Sequence, residues 1–238
     1  MIHVAKLHEQ FKLSVNRIDS NYNKSFSTSV IDSYLNKAQD AVITRFMRHV
    51  ERNTTVRNHL RVLENKEVSL PVVKKTPGYV VVSYPDNFYR LLRQTAKVRT
   101  AGCSELRDVI VHTIQSDKIS ESLRDPNWRP DADWGETIGD ESHDGYYVYK
   151  QSDWEIEEVI VDYMRKPQEM FAPSLAKGSY ITSDGRMVTS DQHCEFSDTY
   201  LWRYIADLAS FYAMRDQGQV DDAKTKMEEM VFSEIVKI

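Results

Sequence analysis

The chain has 238 residues, 41% hydrophobic and 28% charged, with a formal net charge of −5. That length can bury a real core as one large domain or two small ones. The acidic balance excludes a fold-wide basic surface for gripping nucleic acid.

Leu7, Phe11, Val15, Ile18 and Tyr22 recur at spacings of three and four, which puts them on one helical stripe. A polar break at 23–27 follows. Ser29 with Asp32 three residues on resembles a capping box, opening a helix with Ile31, Tyr34, Leu35, Ala38, Val42 and Phe46 on its buried face. Arg45, Arg48, Arg52, Arg57 and Arg61 give the later part of this region a basic exposed side. From Val68 the period changes. Val72-Val73 and Tyr79–Val82 are β-rich runs bounded by Pro71, Pro77-Gly78 and Pro85-Asp86-Asn87. Residues 94–100 alternate as a half-buried strand does, and 108–114 form a further strand candidate. Ser116-Asp117 caps a short helix over 118–124, stopped by Asp125-Pro126.

Residues 130–145 read as an acidic loop punctuated by Gly135, Gly139 and Gly145. A hairpin over 146–150 and 156–165 closes the β-rich region. A second long loop, 166–191, is of a length that often marks an interaction element. Ser197 or Asp198 then caps a helix carrying Leu201, Ile205, Leu208, Phe211 and Tyr212. A final helix carries Val220, Ala223, Met227, Met230, Val231 and Ile235. The expected architecture is α+β: a helical bundle from N- and C-terminal helices with an inserted β-rich region. Its segments are N-terminal helices over 1–67, the β-rich region over 68–165, an extended loop over 166–196, and a helical hairpin over 197–238 completing the bundle.

Cys103 and Cys194 are the only cysteines, and two without CxxC spacing suit a reducing compartment with free thiols. The first residues lack the apolar run of a signal peptide, and no segment approaches the roughly 18 apolar residues of a membrane span. The expectation is a soluble protein made inside the cell and engaging no membrane.

The sequence carries no P-loop, GxSxG, HExxH, EF-hand or GxGxxG pattern. Asp184, Asp191, His193, Cys194 and Glu195 cluster, but their spacing matches no zinc signature. The acidic tract Asp131, Asp133, Glu136, Asp140, Glu141, His143, Asp144 lacks the regular alternation of a calcium loop. Glu157 and Glu158 alternate across a strand and so do not face each other as an acid/base pair. The reading is no catalytic residue, no metal and no cofactor. The loop aromatics Trp128, Trp134, Phe171 and Tyr180 are instead candidates for subunit or partner contacts, where such side chains are enriched.

Four segments in order resemble the head–tail adaptor (connector or neck ring) proteins of tailed bacteriophages, those of crAss-like Bacteroides phages in particular. They are the helix Tyr34-Leu35-Asn36-Lys37-Ala38-Gln39-Asp40; Ser83-Tyr84-Pro85-Asp86-Asn87-Phe88-Tyr89-Arg90; Leu123-Arg124-Asp125-Pro126 with Trp128-Arg129-Pro130; and Asp162-Tyr163-Met164-Arg165-Lys166-Pro167 followed by Cys194-Glu195-Phe196 and Ile205-Ala206-Asp207-Leu208-Ala209. The resemblance implies a non-enzymatic virion protein, a cyclic ring (a dodecamer) below the portal. Its partners would be the portal protein and other neck or tail proteins, with double-stranded DNA passing through unread. The middle region and the 166–191 loop are longer than in compact helix-bundle adaptors. The acidic balance fits a channel wall along which phosphate slides. The alternative is a cytoplasmic, non-enzymatic nucleic-acid or protein-binding module using the arginine face. A metal-dependent enzyme would require the acidic loop to converge with His193 and Cys194.

Overall fold

The computed structural model describes residues 2–18, 26–50, 53–131, 134–142, 145–176, 179–182, 185–196 and 201–217. The elements of the first third are β1 (Ile2–His3), α1 (Val4–Ile18), α2 (Thr28–Met47), α3 (Thr54–Leu60), β2 (Glu64–Leu70), β3 (Val72–Lys75) and β4 (Tyr79–Val82). The middle holds β5 (Phe88–Thr100), β6 (Leu106–Thr113), α4 (Ile119–Ser122), β7 (Glu136–Ser142), β8 (Gly145–Tyr149) and β9 (Trp154–Arg165). The last third holds α5 (Pro173–Ala176), β10 (Tyr180–Ile181), β11 (Met187–Val188), β12 (His193–Cys194) and α6 (Leu201–Asp216). Tyr22, Ser197, Asp198 and the helix expected from Val220 onward lie outside the described residues.

The expected helical bundle with an inserted β region is not what forms. The main body of the fold is a single eight-stranded sheet curled into a half-barrel, accompanied by six helices among the described residues. Three of those helices, α3, α4 and α5, run only 7, 4 and 4 residues, too short to build a bundle. By compactness the chain divides into Met1–Val62 with Pro167–Ile238, and Leu63–Lys166.

Leu63–Lys166 contains the whole sheet, in the order β2-β9-β5-β6-β7-β8-β4-β3. The two longest strands, β5 and β9, pair antiparallel with register shifts along their length. Bulges of this kind sharpen local twist and let a sheet curl. Alternation supplies the core: Ala96 and Val98 from β5, Val109 and Val111 from β6, and Ile156, Val159, Val161 and Tyr163 from β9 meet Val80, Val82, Tyr146 and Val148. The opposite face of β5 and β9 carries cross-strand ion pairs, Lys97 with Glu158 at 2.9 Å and Arg99 with Glu157 at 2.5 Å. A register shift after Lys97 brings Glu157 and Glu158 to one face instead of the alternation expected from sequence. The edge strands β2 and β3 are consecutive halves of one run, bent at Pro71, so one stretch of chain forms both edges.

Where the sequence reads as an acidic loop over 130–145, the chain forms β7 and the start of β8. Glu136–Ser142 looks polar, yet Thr137, Ile138, Gly139 and Asp140 are buried. Pairing overrides composition here: β7 runs parallel to β6 and antiparallel to β8. A parallel pair needs a crossover of a dozen or more residues. The stretch holding the 3-10 turn Ser116–Lys118, α4 and the turns through residue 131 supplies it.

In the helical unit, α6 packs against both α1 and α2 through a nearly continuous buried run, Leu208–Met214. Ser27 stands at the N-cap of α2 with no side-chain cap bond, so Ser29 and Asp32 form no capping box. Asp32 is instead buried and meets His8 of α1, with His8 Nε2 2.7 Å from Asp32 Oδ1 and both side chains 2% exposed. A buried pair of this kind persists only when its remaining groups are bonded, and the Ala172 amide donates to Asp32 Oδ2.

The expected 166–191 loop is likewise structured over much of its length. Asp32, Asn36 and Gln39, spaced four and three along α2, bond the backbone of an extended segment at Ala172, Met170 and Gln168 in turn. The Met170 amide donates to Asn36 Oδ1 (2.7 Å) while Asn36 Nδ2 donates to the Met170 carbonyl (3.0 Å), and Gln39 Nε2 donates to the Gln168 carbonyl (3.0 Å). The alternation matches an extended strand, whose every second residue faces the same way. Beyond it come α5 and the short β10–β11 ladder.

Candidate functional site

The crossover between β6 and β7 builds the most distinctive surface of the sheet unit. Asp125 starts it: its Oδ1 accepts from the Asn127 amide (2.9 Å) and its carbonyl from the amides of Trp128 and Arg129. Such an Asx turn replaces backbone partners the helix end has lost. Pro130 is buried, and its carbonyl accepts from Gln151 Nε2. Asp131 and Glu136 then exchange backbone hydrogen bonds at 3.0 and 3.3 Å. Gly135 turns the chain between them at φ +67, a conformation only glycine adopts without strain.

These constraints place Trp128 and Trp134 on one cleft, together with His112 of β6, Arg129, Asp131 and Glu136. The indoles are 54% and 66% exposed, although most large aromatics among the described residues are partly or fully buried. The cleft is open-mouthed and shallow, with a cavity volume of about 10 Å³, the space of roughly one water. Glu136 Oε2 lies 3.5 Å from His112 Nε2, and the Trp134 amide donates to Asp131 Oδ1 at 3.4 Å. The cleft presents two exposed indoles beside the carboxylates of Asp131 and Glu136.

Of the four aromatics expected at contacts, the structure brings Trp128 and Trp134 together. Phe171 belongs to the other compact unit and is half-buried in the segment bonded to α2. The backbone of Tyr180 lies in β10, while its side chain is outside the described residues. His112 was not singled out from sequence, and Asp131 and Glu136 were read only as members of an acidic tract, because β6 and β7 meet only in the folded sheet. The available signal was the closeness of Trp128-Arg129-Pro130-Asp131 to Trp134.

The His193–Cys194 neighbourhood is a packing site. β12 pairs with β1, setting His3 opposite His193 and Ile2 opposite Cys194, with the two histidine rings edge to face at 5.1 Å. Asp191 accepts from the Ser174 amide (2.8 Å) and hydroxyl and lies 3.5 Å from His3 Nε2. Burial would raise its carboxyl, but those Ser174 bonds hold it below the usual carboxylate range. Cys194 is fully buried, and burial pushes its thiol up to about 11, so the thiolate that chemistry needs is disfavoured. Among the described residues no group of three or more His, Cys, Asp or Glu side chains is placed to hold a metal ion. Asp184, Asp133, His143 and Asp144 lie outside the described residues. No helix among the described residues is long and apolar enough to cross a membrane. No family model matches the chain, and a search of curated proteins finds no match.

Proposed function

We propose that the chain is a structural, non-enzymatic protein that works by assembling with other polypeptides, as a subunit of a head–tail connector ring in a tailed phage. The observation that carries the assembling role is the pair of exposed indoles lining one cleft. Covering both would remove on the order of 200 Å² of apolar surface from water, about 5 kcal/mol before the costs of association. An exposed aromatic pair of this size has the character of an interface anchor. The connector assignment rests on the four sequence segments described above. One of them contains Trp128 and forms part of the crossover that builds the cleft.

In this reading the chain forms a cyclic ring, touches the portal and other neck or tail proteins, and lets DNA pass without reading it. The test is the mass of the purified full chain, alone and after mixing with portal-bearing particles. Multimers or particle-bound protein are the expected result. A chain that stays monomeric and never joins particles would overturn the proposal.

A further inference from the structure

We infer that the polar row Asp32, Asn36 and Gln39 on α2 is a binding site for an extended peptide of a partner protein, filled here by the chain's own 168–172 segment as an internal stand-in. The preferred ligand carries a basic residue, then a large apolar one, then a small one two positions further on. This contact is separate from the indole cleft and goes beyond the ring reading, so either can fail alone.

The row reads main chain, and row and segment belong to the same compact unit. Asn36 accepts from the Met170 amide and donates to the Met170 carbonyl. Any residue but proline satisfies that two-way grip, since each carries one backbone donor and one acceptor. Gln39 donates to the Gln168 carbonyl, and Asp32, itself 2.7 Å from His8, accepts from the Ala172 amide. The side chains of Met170 and Ala172 are fully buried, while Gln168 is exposed. Main-chain bonds thus supply affinity and alternate side chains supply selectivity, as in other sites for extended peptides.

The internal segment fits the row imperfectly. The Gln168 amide donates to Glu195 Oε2 at 2.9 Å rather than to Gln39, and Gln39 Oε1 is buried without a hydrogen-bond partner. A buried acceptor left in that state is destabilising. Asp40 lies one turn beyond Asn36 on the same side of α2. Partial burial raises its carboxyl, and the charge of Glu169 in the segment raises it further. A ligand with Lys or Arg in place of Glu169, and with the preceding amide unengaged, removes both defects. The internal segment has the advantage of a tether, which gives it a high effective concentration. Its poor fit offsets that advantage and keeps it displaceable, as an autoinhibitory contact requires.

The test measures binding of fluorescent peptides spanning 166–174 to the full chain by polarisation. One peptide has the natural sequence, one carries Glu169→Lys, and one is a scramble of the second. The full chain is used in its natural form and as Met170→Gly, which loosens the internal segment, with circular dichroism as the check on folding. The Lys peptide should bind Met170→Gly saturably, and roughly tenfold or more tightly than the natural-sequence peptide does. The scramble should not bind. Adding Asn36→Leu should abolish binding, and adding Asp40→Lys should reverse the preference between the two peptides. Hydrogen exchange gives a reading that needs no loosened variant: saturating Lys peptide should deprotect the Met170 amide of the natural chain. Absence of both saturable binding and deprotection overturns the inference. Binding that survives Asn36→Leu places the peptide elsewhere and overturns it too. A natural-sequence peptide that binds as tightly as the Lys peptide makes the occupant a second copy of this chain, and the assignment of a basic partner fails.

Discussion

A Cβ built at Gly139 would stand 2.3 Å from the Tyr146 hydroxyl oxygen and 2.6 Å from the ring Cζ. The ring of Tyr146 therefore occupies the space a side chain at 139 would need, and its hydroxyl reaches Thr113 Oγ1 at 2.9 Å. Gly139→Ala should cost about 1–3 kcal/mol by overpacking. In urea unfolding the double variant with Tyr146→Leu should cost less than the sum of the two singles, because the smaller side chain vacates that space. Tyr146 also gives the sheet unit a pH dependence. Burial raises its phenol most, the Thr113 bond opposes this, and Asp140 and Glu141 add to the rise, taking it to about 12. With the folded value above the unfolded one near 10, the folded state keeps a proton that the unfolded chain releases. The contribution is full below about pH 10 and is lost as pH rises toward about 12, worth up to roughly 2–3 kcal/mol. Urea midpoints measured at pH 9 and pH 11.5 should fall less for Tyr146→Phe than for the natural chain.

Among elements, the extended segment over 167–172 depends most on a few polar side chains. Asn36→Ala would strip partners from both the amide and the carbonyl of Met170, a fully buried residue, at about 1–3 kcal/mol for each stranded group. Hydrogen exchange should show the Met170 amide protected in the natural chain and exchanging far faster in the variant. The sequence shows why this element was hard to foresee. Asp32, Asn36 and Gln39 sit at helical spacing beside the apolar stripe, but their partner is backbone, which leaves no mark in composition. Strands whose apolar residues alternate on their own were easier to read: residues 94–100, 108–114 and 156–165 lie mostly within β5, β6 and β9. β7 was hidden, because residues 137–140 are buried by neighbouring strands rather than by their own hydrophobicity. The cleft was half legible. Its tryptophans stand close in sequence, while His112 joins them only through the parallel pairing of β6 with β7.

For the whole molecule, the balance between sheet and helix was misjudged from sequence because most strands other than β5 and β9 are short and bounded by Pro, Gly or polar turns. They gain their weight by joining one sheet. Leu63–Lys166 is a continuous run of chain containing all eight of those strands and their core. Residues 63–166 expressed alone should therefore fold and unfold cooperatively in urea, with one transition seen by both fluorescence and circular dichroism. Separate transitions for the two probes would count against an independent unit.

The strand order also fixes a sequence of events during synthesis. β9 is the last strand of the sheet to be made, yet it lies between β2 and β5, pairing Leu70 with Val159 on one side and Ala96 with Val159 on the other. Until Arg165 has left the ribosome, β2 has no partner across that gap and β5 has one open side. Such long-range closure is slow, since loop entropy is lost before the contacts form. The nascent chain thus carries two unfilled strand edges through most of its translation, and a single late insertion seals both.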